Sequence, residues 1–251
     1  MVENFMKRKI VFLLIVCSCF MPSALLATMK IMPLGDSITW DWHYGDSRTD
    51  AQRNGYRNDL WYKLKASGYN VDFVGSRHNG GAVRPRYDGD NEGYTGWTTY
   101  QIADRVYGFL RHSKPNIVLL HIGTNDSMYR SGAAAVEGVE SILDEIDRYE
   151  RNYHVEISVI LAYIIQLRKA PGWVNDFNNH LKIMARNRIA NGDKLLMVDM
   201  YHAVGNNLVD GIHPTSTGYA KMATVWYKAV KKIISKNQYS WLVPVLHSVL
   251  F

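Results

Sequence analysis

The sequence predicts an α/β protein, a three-layer α/β/α sandwich with a flavodoxin-like, five-stranded and mainly parallel sheet. Short apolar runs rich in β-branched residues and leucine alternate with longer segments of helical periodicity. Each run is bounded by Gly, Pro or polar residues, which is typical of strands covered on both faces. The runs that predict strands are residues 30–34, 71–75, 117–122, 157–163 and 195–198.

The segments between these runs carry apolar stripes that predict helices packed on the sheet. Tyr56, Leu60 and Leu64 share one helical face. Residues 132–149 and 173–190 continue the alternation of strands and helices. The last helix has a stripe that should also face the core, made of Tyr219, Met222, Ala223, Trp226 and Val230.

The N-terminal segment, residues 1–27, has the organisation of a secretory signal peptide. Basic residues at positions 7 to 9 precede an apolar run at 10–20, and small residues follow up to Ala27. This run is about half of the ~20 residues that cross a bilayer, so a stable membrane insertion is not expected. We therefore predict a secreted or periplasmic protein with one domain over residues 28–251.

Composition excludes several classes of function. Both cysteines, Cys17 and Cys19, lie in the leader, so the domain has no disulfide, thiolate metal site or cysteine nucleophile. A lipid anchor on Cys19 is the alternative to release of the leader. The formal charge of +6 is modest and its basic residues are scattered, so a nucleic-acid partner is not expected.

Polar residues directly after the predicted strands are candidates for chemistry, because the ligand crevice of such a sheet lies at the carboxyl ends of its strands. Asp36 and Ser37 follow the first strand at a sharp turn into a helix, and the alternative role for this serine is a helix cap. Asn125 follows the third strand in a Gly-Thr-Asn-Asp turn, where an ordinary Asn/Asp loop is the alternative.

An Asp/His pair precedes the last helix. The three-residue spacing between Asp210 and His213 lets the carboxylate accept from one imidazole nitrogen while the other nitrogen takes a proton from a serine. A structural pair and a metal ligand are the alternatives. With Ser37, these residues are the candidate catalytic set.

The order of these blocks, Gly35-Asp36-Ser37, then the Asn125 turn, then Asp210 and His213, resembles the SGNH (GDSL) hydrolase family. The resemblance implies a serine esterase with an acyl-enzyme on Ser37. It also implies an oxyanion hole formed by the Ser37 N–H, a glycine N–H and the Asn125 side chain. Gly96 is the expected glycine, and Gly93 competes with it. No Gly-x-Ser-x-Gly elbow occurs, which excludes the other common serine-hydrolase fold.

Further stretches are similar to the third carbohydrate esterase family, which includes acetylxylan esterases. This resemblance implies removal of acetyl groups from acetylxylan or a related plant polysaccharide or oligosaccharide. The sequence departs from the family pattern at 41–51, a polar insertion rich in Asp and aromatic residues. The similar stretches are residues 31–40, 54–57, 71–76, 92–97 and 210–214.

Aromatic residues near the predicted crevice have planar faces suited to stacking on sugar rings, although packing in the core is the alternative. They are Trp40, Trp42, Tyr44, Tyr94, Trp97 and Trp173. The candidate substrate-binding residues are Asp36, Trp40, Trp97 and Trp173.

No cofactor and no required metal is predicted, although the loop at 88–92 carries oxygen ligands that could hold calcium. The histidines other than His213 have no paired metal spacing. The apolar tail at 239–251 should pack on the domain, with a dimer contact as the alternative. Two other functions remain open: a non-catalytic carbohydrate-binding protein on the same fold, and a short-chain lipid or thioester esterase.

Overall fold

The computed structural model describes the backbone of residues 28–240 and the side chains of residues 28–235. The predicted signal peptide at 1–27 and almost all of the apolar tail lie outside these residues. The strands are β1 (Met29–Gly35), β2 (Val71–Phe73), β3 (Arg77–His78), β4 (Asp90–Gly93), β5 (Ile117–His121), β6 (Ser158–Tyr163) and β7 (Leu195–Asp199). The helices are α1 (Ser37–Trp40), α2 (Gly55–Ala66), α3 (Thr99–Ser113), α4 (Gly132–Tyr153), α5 (Pro171–Ala190), α6 (Met200–Val204) and α7 (Ser216–Ser240).

The strands form one sheet in the order β3-β4-β1-β5-β6-β7, with β2 also paired to β1. The first residues of β1 pair with β2, and its last two residues, Leu34 and Gly35, pair with β4 on the same side. The other side of β1 pairs with β5. The strand order therefore reverses at β1, and the carboxyl ends of β1 and β5 are where a doubly wound sheet binds its ligand.

All five predicted strands are present and pair parallel to one another, and β4 also pairs parallel to β1. The fold class is confirmed. Two short strands, β3 and β4, were not predicted, and they pair antiparallel to each other. β4 has the sequence Asp-Asn-Glu-Gly, so neither alternation nor an apolar run marks it as a strand.

Side-chain alternation along the strands divides the core between the two faces of the sheet. In β5, Val118 and Leu120 pack with α3, α4 and α5, whereas Ile117 and Leu119 pack with α2 and α7. The predicted stripe of α2 is fully buried, as is Trp226 of α7. Full burial of one such side chain stabilises the folded protein by about 1.5–3 kcal/mol. The two helical layers therefore hold the ends of the strands in fixed positions.

Candidate active site

Ser37 lies at the carboxyl end of β1, where the chain turns directly into α1. The Asp36 side chain caps this short helix by accepting a hydrogen bond from the Ile38 N–H at 2.9 Å. The turn requires glycine at position 35, because a Cβ there would lie 2.2 Å from the carbonyl oxygen of His121 in β5. Ser37 is 4% exposed, so the turn holds it almost entirely within the protein.

The structure brings Ser37 and His213 into contact across 176 residues of sequence. Ser37 Oγ lies 2.9 Å from His213 Nε2. His213 Nδ1 lies 2.8 Å from Asp210 Oδ2. An ionised carboxylate only accepts hydrogen bonds, so Nδ1 carries the ring proton and Nε2 is free to accept from the serine hydroxyl.

The Asp210 side chain also shapes the turn that carries His213. Its Oδ1 accepts from the backbone N–H groups of Ile212 at 3.0 Å and His213 at 2.9 Å. Gly211 has φ +88°, and its carbonyl accepts from the Arg168 N–H at 2.8 Å, which fixes the turn to the loop after β6. The carboxylate therefore positions the backbone and the ring of His213 together.

The electrostatics of the pair favour a neutral histidine beside an ionised aspartate. Partial burial raises the pKa of Asp210, but hydrogen bonds from the backbone and ring of His213 outweigh it and lower the pKa to about 2. Burial lowers the pKa of His213, and this outweighs the opposite effect of Asp210. At neutral pH His213 is thus unprotonated at Nε2 and can act as a base.

Asn125 lies beside the turn that contains Gly96, as an oxyanion hole requires. Its Nδ2 group donates one hydrogen bond to the carbonyl of Trp97 at 2.9 Å. The next residue, Asp126, is buried and accepts from the N–H of Thr99 at 2.9 Å and from its hydroxyl at 2.8 Å. The loop after β5 is therefore fixed to the first turn of α3.

The two competing glycines differ in the availability of their N–H groups. The Gly93 N–H donates to the Asn91 side chain at 2.9 Å, so it is already used. The Gly96 N–H has no acceptor among residues 28–240, and the residue is exposed. Gly96 has φ +80°, which explains glycine at this position without any steric contact. Of the two, only Gly96 offers a free donor.

A family model described as GDSL-like lipase/acylhydrolase matches residues 31–226, a range that runs from β1 into α7 and contains every block of the site. The chain belongs to this family. The resemblance to the SGNH (GDSL) superfamily is thereby confirmed, and the matched domain is a carboxylic ester hydrolase domain.

Three individual relatives show which kinds of esterase this chain is similar to. A multidomain esterase of Ruminococcus flavefaciens is 29% identical over 238 residues, covering 83% of this chain but only 29% of the relative. A family 3 carbohydrate esterase of Clostridium thermocellum is 29% identical with a TM-score of 0.69, covering 83% of this chain and 98% of that one. An acetyl esterase mutant, whose crystal structure contains an acetate ion, is 25% identical with a TM-score of 0.70, covering 83% of this chain and 99% of that one.

Two of the predicted substrate-binding residues lie in the interior of this hydrolase domain. Asp36 is fully buried, and burial raises its pKa to about 7. Trp40 is 6% exposed, and the guanidinium of Arg77 lies 3.9 Å above its ring. Neither position fits the predicted contact with substrate, because no face of either side chain is left open to it.

The other two predicted substrate-binding residues are partly exposed at the carboxyl edge of the sheet. Trp97 stacks on Tyr94 with ring centroids 4.1 Å apart. Trp173 donates from Nε1 to the carbonyl of Arg130 at 2.7 Å and stacks on Phe177 at 5.4 Å. Each has one face occupied, and their contact with substrate stays a prediction.

Two rings surround His213, and the sequence predicted only one of them, Trp42, to lie near the crevice. The edge of Trp42 lies against the imidazole with centroids 6.1 Å apart, and the His43 ring lies 6.4 Å away. Both belong to the polar insertion at 41–51, where Asp41 has φ 69° and turns the chain back over the site. Trp42 was predicted from its aromatic face and its position after the serine block, whereas His43 had no signal in the sequence.

The oxygen atoms of the loop at 88–92 are used within the protein. Asp88 accepts from the N–H of Phe73 at 2.8 Å, and Glu92 accepts from the N–H of Ser76 at 2.6 Å. The described part of the chain has no group of three or more His, Asp or Glu side chains placed to share a metal ion. Within residues 28–240, no helix combines the length and apolar character needed to span a membrane.

Proposed function

We propose that the protein is a serine esterase that removes acetyl groups from carbohydrate, acetylxylan or a related polysaccharide or oligosaccharide, and that it acts outside the cytoplasm after export by its leader. The observation that carries the proposal is the chain of contacts from Ser37 Oγ to His213 Nε2 and from His213 Nδ1 to Asp210. Such a chain is the arrangement that activates a serine as a nucleophile.

In the first half of the reaction, His213 Nε2 takes the proton of Ser37 as Oγ attacks the acetyl carbonyl. The Ser37 and Gly96 N–H groups and Asn125 Nδ2 donate to the resulting oxyanion, an interaction worth about 3 kcal/mol for each donor. When the intermediate collapses, the protonated His213 gives its proton to the departing sugar oxygen. Acetyl-Ser37 and the free sugar hydroxyl are the products.

In the second half, His213 takes a proton from a water molecule that attacks acetyl-Ser37. The new tetrahedral intermediate uses the same donors and collapses to acetate, and the proton returns from His213 to Ser37 Oγ. Asp210 stays ionised throughout, because hydrogen bonds from the backbone and ring of His213 hold its pKa at about 2.

The choice of an acetylated sugar rests on the relatives and on the character of the crevice. Two solved structures at 25–29% identity are a family 3 carbohydrate esterase and an acetyl esterase. The half-exposed Trp97 and Tyr94 lie close to Asn125, where an aromatic ring can cover the face of a sugar.

The test compares acetate release from acetylated xylan and from p-nitrophenyl acetate by the wild type, Ser37→Ala and Ser141→Ala. Ser141 is a half-buried serine of α4 whose hydroxyl donates to the carbonyl of Glu137, and it serves as the control. We expect Ser37→Ala to lose at least about 10³-fold in kcat on both esters and the control to keep full activity. Equal rates for the wild type and Ser37→Ala would refute the nucleophile, and turnover of p-nitrophenyl acetate alone would refute the carbohydrate substrate.

A further inference from the structure

A cavity of about 390 Å³ lies beside His213, between the loop after α1 and the first turns of α2 and α7. His43 and Pro214 form its boundary toward the catalytic histidine. Its volume falls within the ~300–1,000 Å³ range of small-molecule sites. Its lining residues are Asp41, His43, Arg48, Asn54, Gly55, Asp59, Val209, Pro214, Ser216 and Tyr219.

The chemistry of the proposed reaction assigns this side of the site to the alcohol half of the ester. His213 Nε2 must deliver a proton to the leaving oxygen, so the leaving group has to lie against His213. The carbonyl oxygen must face Gly96 and Asn125, and neither the turn at 93–98 nor the turn at 123–126 contributes to the cavity. A sugar attached to the leaving oxygen therefore extends in the direction of His43 and the cavity.

One wall of the cavity is a closed ion-pair network. Arg48 donates to both oxygens of Asp41, at 2.9 and 3.0 Å. Asp41 also accepts from the backbone N–H groups of Asn54 at 2.8 Å and Gly55 at 3.0 Å. Arg48 makes a further ion pair with Asp46, so its charge is compensated and the wall offers no site for an anion.

Three other lining side chains have unused hydrogen-bonding groups. The side chains of Asn54, Asp59 and Ser216 make no hydrogen bond or ion pair with the other described residues. Together they offer an amide, a carboxylate and a hydroxyl. Asn54 and Asp59 are half-buried and Ser216 is exposed. A set of donors and acceptors without net positive charge suits a neutral molecule with several hydroxyl groups.

From this placement we infer that the cavity is the subsite for a sugar ring on the alcohol side of the scissile ester, with Asp59, Asn54 and Ser216 as specificity-determining residues. The inference rests on the proposed esterase function and extends it. It assigns recognition of the carbohydrate to the His213 side of the site, where Asp41, His43 and Arg48 of the insertion at 41–51 form part of the cavity wall.

The test uses the ratio of kcat/KM on an acetylated xylo-oligosaccharide to kcat/KM on p-nitrophenyl acetate, whose leaving group carries no additional hydroxyls. Asp59→Ala and Ser216→Ala are compared with the wild type and with Asp104→Ala, an exposed aspartate of α3 outside the cavity. We expect the ratio to fall about tenfold for Asp59→Ala, less for Ser216→Ala, and not at all for the control. An unchanged ratio in both cavity variants would overturn the subsite without affecting the esterase proposal.

A binding experiment separates the two proposals further. Unacetylated xylotriose is titrated calorimetrically into the wild-type protein, Asp59→Ala and Asp104→Ala. Weaker binding to Asp59→Ala than to the other two proteins supports the subsite even if no ester is hydrolysed. Binding that is equal in all three, or absent from the wild type, contradicts it.

Discussion

At position 213, burial and a neighbouring carboxylate act in opposite directions on one imidazole. Burial dominates and lowers the pKa of His213 below its ordinary value of 6.5, whereas Asp210 raises it. The base needed by Ser37 is the neutral ring, so activity should be present above the pKa of His213 and lost as the pH falls through it.

We therefore predict that the acid limb of kcat/KM against pH has its midpoint below 6.5. The measurement is a pH profile on p-nitrophenyl acetate, with protein stability followed over the same range. A midpoint above 6.5 in folded protein would mean that another group controls the reaction.

Replacement of His213 or Asp210 should greatly lower kcat, because the members of a catalytic triad act as a unit. His213→Ala should lose nearly as much kcat as Ser37→Ala, and Asp210→Asn about three to four orders of magnitude. The chain contains a matched control pair, Asp199 and His202, with the same spacing and the same contacts at 2.6 and 2.9 Å. His202→Ala should keep wild-type kinetics, and near-normal turnover by His213→Ala would remove the base from the mechanism.

The same control pair shows what spacing in the sequence could and could not predict. Both Asp-x-x-His turns form the same local hydrogen bonds, but His202 is largely exposed and only His213 meets a serine. Sequence order identified the productive pair through the family resemblance. It could not predict that Trp40 is covered by Arg77, because Arg77 lies in β3, a short strand that the sequence did not predict.

At the scale of single elements, the end of β1 is the most constrained part of the site. Gly35 pairs with β4 on one side and β5 on the other, and a side chain there would meet the His121 carbonyl and the Thr39 hydroxyl at 2.2 and 2.6 Å. Three strands can converge on the serine turn only because this residue has no Cβ.

Gly35→Ala should therefore lower the free energy of unfolding by about 2–3 kcal/mol, through forced separation of the strands. Gly81→Ala is the control, since a Cβ at that exposed glycine meets nothing within 4 Å, and its effect should stay within about 0.5 kcal/mol. Urea unfolding followed by circular dichroism measures both. Equal stability of the two variants would show that β1 and β5 can move apart freely.

The sequence predicted the strands and helices whose buried apolar residues recur at regular intervals along the chain. The five apolar strands and the stripes of α2 and α7 have a periodicity that only a two-sided core explains. β4 gave no such signal, because its buried residues Asn91 and Glu92 are held by hydrogen bonds to side chains and backbone far away in sequence. Polar strands of this kind depend on partners that a local pattern does not contain.

At the scale of the whole molecule, the site joins the beginning, middle and end of the domain. Ser37 follows β1, Asn125 follows β5, and His213 precedes α7, so the three groups meet only when the parallel sheet and both helical layers are formed. Partial unfolding of either layer should therefore abolish activity together with structure.

The proposed export concerns the whole chain and is tested separately. We predict that the protein recovered from outside the cytoplasm begins near residue 28, because a basic, apolar and small-residue leader is removed by a signal peptidase. N-terminal sequencing of the exported protein measures this. A product that keeps residues 1–27, or one that carries lipid on Cys19, would replace the secreted form with an anchored one.

The most direct test of the account is to find the nucleophile by covalent labelling. The protein is treated with an organophosphorus ester that forms a stable adduct with activated serines, and the modified peptide is identified by mass spectrometry. We expect one adduct, on Ser37, with loss of esterase activity in step with labelling, no adduct in Ser37→Ala and much slower labelling in His213→Ala. An adduct on a different residue, or full ester turnover by protein labelled at Ser37, would contradict the role of Ser37 as the nucleophile.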